Sequence, residues 1–233
     1  MASSSRYGLS ATIAPRQKLG LQAAFAQGGT ENLSVAQGAS TTPAQIEARF
    51  TEILDAGIQF DATGDGLSAV LNNSEKAFDL AVSIAEAAWP IRVRFALIAA
   101  PPGGAAGQDD AIRDKAHRVL KKANKKANFH FELSGKSSAE ITLAAALCKL
   151  HATLLAEWTE SRATAVRCYR RHGKQAEVAQ ELSVSQQAVS QMLLGARFRE
   201  LVAAEEAMRQ WLTGPKRTTL WPLRNIGTAP ATL

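Results

Sequence analysis

QAEVAQELSVSQQAVSQML, residues 175 to 193, holds two short helical patterns that meet at Ser183-Val184. A helix-turn-helix unit needs apolar or small residues where its two helices cross, while the second helix turns its outer face to the major groove. With the unit starting at Gln175, the inward positions are Val178, Ala179, Leu182, Val184, Val189 and Met192, and the small Ala179 falls at the crossing. Ser183 takes the turn, where many such motifs carry Gly, and Ser185 is placed to cap the second helix. The outward side chains of that helix are Gln186, Gln187, Ser190 and Gln191. Together with Ser185 they are the candidate base-contacting residues, because amides and hydroxyls both donate and accept at base edges. A fully charged face would grip phosphate anywhere, whereas neutral amides are satisfied only by a matching sequence.

Charge concentrates around the same stretch. From Ser161 to Arg199 there are seven cations against two acids, Glu177 and Glu181, a surplus of five in a chain whose net charge is +6. A basic surface of this kind suits a polyanion. Arg170, Arg171, Lys174, Arg197 and Arg199 flank the unit as candidate phosphate contacts, with supporting helices expected over 158–172 before it and 199–212 after it.

Working outward, 233 residues accommodate two ordinary domains. Hydrophobic residues at 46% and charged residues at 21% fit a globular chain. The apolar runs fall short of the ~20 residues of a membrane span, so no membrane partner is expected. The opening residues have no secretory apolar core, which points to the cytoplasm. Cys148 and Cys168 lie in helical patterns without metal-ligand spacing, and the four histidines form no zinc or triad pattern. Neither metal, cofactor nor nucleophile is implied.

Period and punctuation organise the rest. Residues 7–13 read as a strand, 17–26 as a short helix, and 28–42 as a Gly/Ser/Thr-rich loop. Thr42-Pro43 opens a helix to Gly57. In residues 58–71 two apolar runs flank Thr63-Gly64-Asp65-Gly66, a hairpin pattern. Asn73-Ser74 caps a helix through Trp89, which Pro90 ends. A strand over 91–100, a PPGGAAGQ loop, a helix over 109–127, a strand over 129–133 and a long helix over 138–158 follow. The fold class is therefore α+β, with a ferredoxin-like or nucleotide-cyclase-like sheet domain (1–135), a connecting helix (136–158), an all-α helix-turn-helix domain (159–213) and a tail (214–233). Arg118, Lys122 and Lys125 are expected to share one face of the 109–127 helix, either solvated or touching the DNA backbone.

SATIAPRQKL at 10–19, FDATGDGLSAVLNNSEKAFDLAVSIAEA at 60–87 and the 175–193 stretch together resemble the SatD family of bacterial regulators. That resemblance implies a cyclase-like palm in which one Asp after the first strand and another in the hairpin hold divalent ions against a triphosphate. Here the first position is Thr12, and only Asp65 remains as a possible ligand-binding residue. One carboxylate cannot hold two Mg²⁺ ions, so the domain is expected to be non-catalytic.

The expected function is transcription regulation by sequence-specific binding of double-stranded DNA, as a homodimer reading two half-sites about 34 Å apart. The N-terminal domain would pair protomers or sense a small-molecule or nucleotide effector. Two alternatives stand beside this: a nucleotide-binding or cyclase-like enzyme, and a mobile-element DNA-binding adaptor.

Overall fold

A computed structural model describes residues 6–13, 59–60, 66–100 and 108–214. The described chain is mixed α+β. Five strands, β1 (Tyr7–Ile13), β2 (Gln59–Phe60), β3 (Gly66–Leu71), β4 (Val93–Ala99) and β5 (Phe129–Glu132), form one sheet of order β2-β3-β1-β4-β5. β1 is central and antiparallel to both β3 and β4, with Leu9 opposite Ala69 on one side and Leu97 on the other. β4 and β5 run parallel, Phe95 beside Phe129.

Alternation along β1 feeds two different layers. Leu9 and Ala11 face helix α1 (Ser74–Ala88), which brings Phe78, Ala81 and Ile84 onto them. The intervening Gly8 faces helix α2 (Asp109–Lys122): a Cβ there would lie 2.7 Å from Ile112 Cγ2, so only glycine lets α2 come this close. Ile98, Ile112 and Ala116 make the small core on that side. Cover on both faces explains why β4 is buried from Val93 through Ile98.

The helix ends follow from local chemistry. Asn73 Oδ1 accepts from the amides of Glu75 and Lys76 to start α1, which stops just before Trp89-Pro90. α2 stops at Lys122, five residues short of the expected 127. Ala123 turns extended, Asn124 Oδ1 accepts from Lys126 N, and the buried Arg94 guanidinium donates to the carbonyls of Leu120 and Ala123. Lys125 therefore leaves the helix and does not share a face with Arg118 and Lys122. Helix α3 (Ser138–Ala156) begins in a reciprocal capping box between Ser137 and Glu140.

Four helices complete the chain: α4 (Glu160–His172), α5 (Gln175–Leu182), α6 (Gln186–Gly195) and α7 (Phe198–Thr213). Their core gathers Trp158, Val166, Val178, Val189, Leu193 and Leu201, and Trp89 and Leu155 join it from the sheet side. α7 also places Met208 and Leu212 in the sheet core. α3 is long and apolar enough to cross a membrane by length and composition, with a mean hydropathy of 1.4, contrary to the expectation that no run reaches that limit. Its Ala144, Cys148 and Leu155 are buried in the protein, and His151 bonds Glu205 of α7. The expected helices at 17–26 and 42–57, the loops at 28–42 and 101–107, the hairpin turn with Asp65, and the tail beyond Gly214 lie outside the described residues.

Candidate nucleic-acid interface

Helices α5 and α6 meet through a three-residue turn. Ser183 adopts φ 53°, ψ 42°, left-handed geometry that glycine would reach at lower cost. The Val184 amide donates to Ala179 O at 3.0 Å and closes the end of α5. Ser185 then caps α6, its hydroxyl accepting from Ala188 N at 3.1 Å.

Val178 and Val189 are fully buried between α4, α5 and α6, and Ala179 is buried beside them. Leu182 and Met192 are half-buried at the margin. Val184 departs from its expected inward position and is 39% exposed, because its backbone is spent on closing the turn and its side chain points away from the core. The residue that fills the interior of α6 is Leu193, one turn beyond Val189, which the sequence reading passed over in favour of Met192. Trp158 pins the unit from below by donating from Nε1 to Ala196 O.

Ser185, Gln186, Gln187, Ser190 and Gln191 are all exposed on α6. No charged residue occurs between Gln186 and Gly195. The two acids of α5 are engaged elsewhere. Glu181 accepts from Arg171 at 2.6 Å and pairs with His172 at 2.5 Å, while Glu177 pairs with Lys174 at 3.0 Å. Hydrogen bonds from His172 and Cys168 hold the Glu181 carboxyl below the ordinary range, and Lys174 does the same for Glu177.

The five flanking cations divide into groups. Arg197, itself left-handed at φ 56°, and Arg199 are exposed and form no ion pair among the described residues. Arg171 and Lys174 are exposed but paired to Glu181 and Glu177. Arg170 is not placed for phosphate. It donates to Glu205 at 2.6 and 2.9 Å and to Glu86 at 2.8 Å, and its side chain keeps 27% exposure. It joins α4 to α1 and α7. Burial acts to raise the Glu205 carboxyl but is outweighed by hydrogen bonds and charge from His151 and Arg170, which hold it down at about 2. Burial raises Glu86, against the pull of Arg170. Arg209, bonded to Asp79 at 2.7 Å, extends the network. Glu205 carries a sequence signal that was missed: it lies in register with Leu201, Met208 and Leu212 on the apolar stripe of α7, where a carboxylate needs a buried partner.

Beneath α3 a small apolar cavity of about 70 Å³ is lined by Phe78, Trp89, Phe95, Phe129 and Leu155, with Cys148 and His151 on its wall. Burial pushes the Cys148 thiol up to about 12, which keeps it protonated. Among the described residues no group of three or more His, Cys, Asp or Glu could hold a metal ion. Thr12 lies in β1 opposite Gly66 and Arg94. No family model, curated protein or solved structure matches this chain.

Proposed function

We propose that the protein is a sequence-specific DNA-binding regulator in which α5 and α6 form a helix-turn-helix and α6 reads the major groove of double-stranded DNA. One observation carries this reading: α6 presents an uninterrupted, exposed face of neutral hydrogen-bonding side chains on a helix whose opposite side is locked by Val189 and Leu193. A rigid helix with a polar, acid-free face can approach base edges without repelling phosphate. Ser185 and Gln186, at the start of the helix, are the closest approach to the groove floor, with Gln187, Ser190 and Gln191 following. Phosphate contacts fall first to Arg197 and Arg199, with Arg171 and Lys174 able to exchange their carboxylate partners for phosphate; Arg170 is a structural tie.

The sheet order β2-β3-β1-β4, all antiparallel, supports a ferredoxin-like or cyclase-like reading of the N-terminal half, to which β5 adds an edge. We assign that half no chemistry, since Thr12 cannot act as a metal-binding carboxylate, and its role is to position the helical unit. Selection of bound sequences from a random DNA pool tests the proposal. Enrichment of a short motif supports it, and uniform retention of all sequences, abolished by salt, would reduce the protein to a non-specific polyanion binder.

A further inference from the structure

Glycine and arginine stand at the end of α6 in the reverse of their usual places. A helix is more stable with a side chain inside its last turn and with glycine at the left-handed residue that follows. Here Gly195 closes α6 with no positive φ to require it, whereas the left-handed position, φ 56° and ψ 36°, belongs to Arg197. Close approach explains Gly195. A Cβ there would lie 2.8 Å from Nε, 3.0 Å from Nη2 and 3.1 Å from Cζ of Arg162, so the guanidinium of this half-buried α4 residue rests where any other side chain would begin. Gly195 follows Gln191 by four residues, one turn along the same side of the helix, and the seated guanidinium therefore borders the candidate reading face. Among the described residues the Arg162 guanidinium forms neither an ion pair nor a hydrogen bond to the end of α6. Arg197 and Arg199 are likewise unpaired there, and Glu200, in the first turn of α7, bonds to none of the three. Both departures from the usual helix end thus bring an arginine to one corner of the molecule.

We propose that Arg162, seated on Gly195, is a further phosphate-binding residue, and that with Arg197 and Arg199 it clamps the DNA backbone beyond the C-terminal end of α6. This rests on the DNA reading of that helix. Guanidinium suits the task because its planar fork of N–H groups matches phosphate oxygens bidentately. The seat adds preorganisation: a long arginine side chain loses rotamer freedom on binding, and Arg162 has already lost part of its own against the α6 backbone. Two structural roles fit the geometry less well. A helix C-terminal cap would direct its N–H groups to the last carbonyls, yet those of Met192 and Leu194 accept from the amides of Ala196 and Arg197. A tie between elements, of the kind Arg170 makes, would need a carboxylate, and α6 carries none.

Gly195→Ala tests the proposal, since the added methyl displaces the Arg162 guanidinium without removing a charge or touching a base-reading side chain. The obstructing atoms are the far end of a flexible side chain, so the fold should accept the change with a melting temperature equal to or above that of the wild type. Binding of a fluorescein-labelled random-sequence duplex to the full chain, measured by anisotropy across a salt series, should weaken roughly threefold in this variant. Arg162→Ala should weaken it at least as much, with unaltered melting, and the slope of log affinity against log salt should fall by about one. Arg162→Lys should keep the slope and recover part of the affinity, and Gly195→Ala added to Arg162→Ala should lose nothing more. Gly195→Ala binding as tightly as the wild type would overturn the proposal while the DNA reading stands. So would an Arg162→Ala variant with an unchanged salt slope, above all one with lowered melting, which marks a structural contact. A wild type that binds no duplex at any salt would sink the DNA reading itself, and the clamp with it.

Discussion

Replacing Glu205 by Gln should change how stability depends on acid. The carboxyl is 1% exposed and bridged by His151 and Arg170, which hold it at about 2 against its ordinary 4.5. A folded-state value below the unfolded one means that the unfolded chain takes up a proton first as pH falls. The stabilisation is thus fully present above pH 4.5 and is lost as pH drops towards 2. The difference corresponds to about 3 kcal/mol at neutral pH. Glu86 works in the opposite sense: its raised value means that stability declines as pH rises above 4.5 through its folded-state titration. Urea unfolding followed by far-UV circular dichroism at pH steps from 7 to 2.5 should show wild-type stability falling steeply below pH 4.5. Glu205→Gln should begin lower at neutral pH, since Arg170 keeps only Glu86, and its slope below pH 4.5 should be shallower. Parallel curves for the two proteins would refute the assignment of Glu205 as the anchor of the network.

Four further outcomes are expected. Gln187→Ala should cost roughly 1–3 kcal/mol at a selected DNA site and little on random DNA, measured by fluorescence anisotropy; equal losses on both would remove Gln187 from the reading face. Ala179→Glu, which buries an unpaired charge between α5 and its neighbours, should destroy the helical unit and its cooperative melting transition. Arg199→Ala should reduce the slope of log affinity against log salt by about one and weaken all sequences alike, whereas Arg170→Met should lower the melting temperature while the salt slope stays unchanged.

Local chemistry was legible in the sequence where a single residue dictates its own neighbourhood. Asn73 and Pro90 bound α1 and Ser185 capped α6, each through neighbours within four residues, and the strand read at 7–13 is there although its partners lie in β3 and β4. Long-range partners were not legible. Arg170 looked like one more cation beside the motif because its carboxylates lie 84 and 35 residues away in the chain. Lys125 left its helix because Arg94, in a strand, caps the carbonyls before it. Val184 has the right type for the core, but the turn it closes directs it outward. The boundary expected near residue 135 also assumed that each half keeps its own core, whereas Met208 and Leu212 return from the far end of the chain to the sheet. How much of the hairpin pattern around Asp65 holds lies beyond the described residues.

The two ends of α7 belong to different cores, with Leu201 among the helices and Met208 and Leu212 on the sheet. Those anchors are separated by about 16 Å of continuous hydrogen-bonded helix. In mechanical terms α7 is a strut and the hinge one would look for between the halves is braced across. With α7 as that brace, α6 is held at one tilt to the sheet, and a torque applied to the helical unit passes into the sheet instead of being absorbed between them.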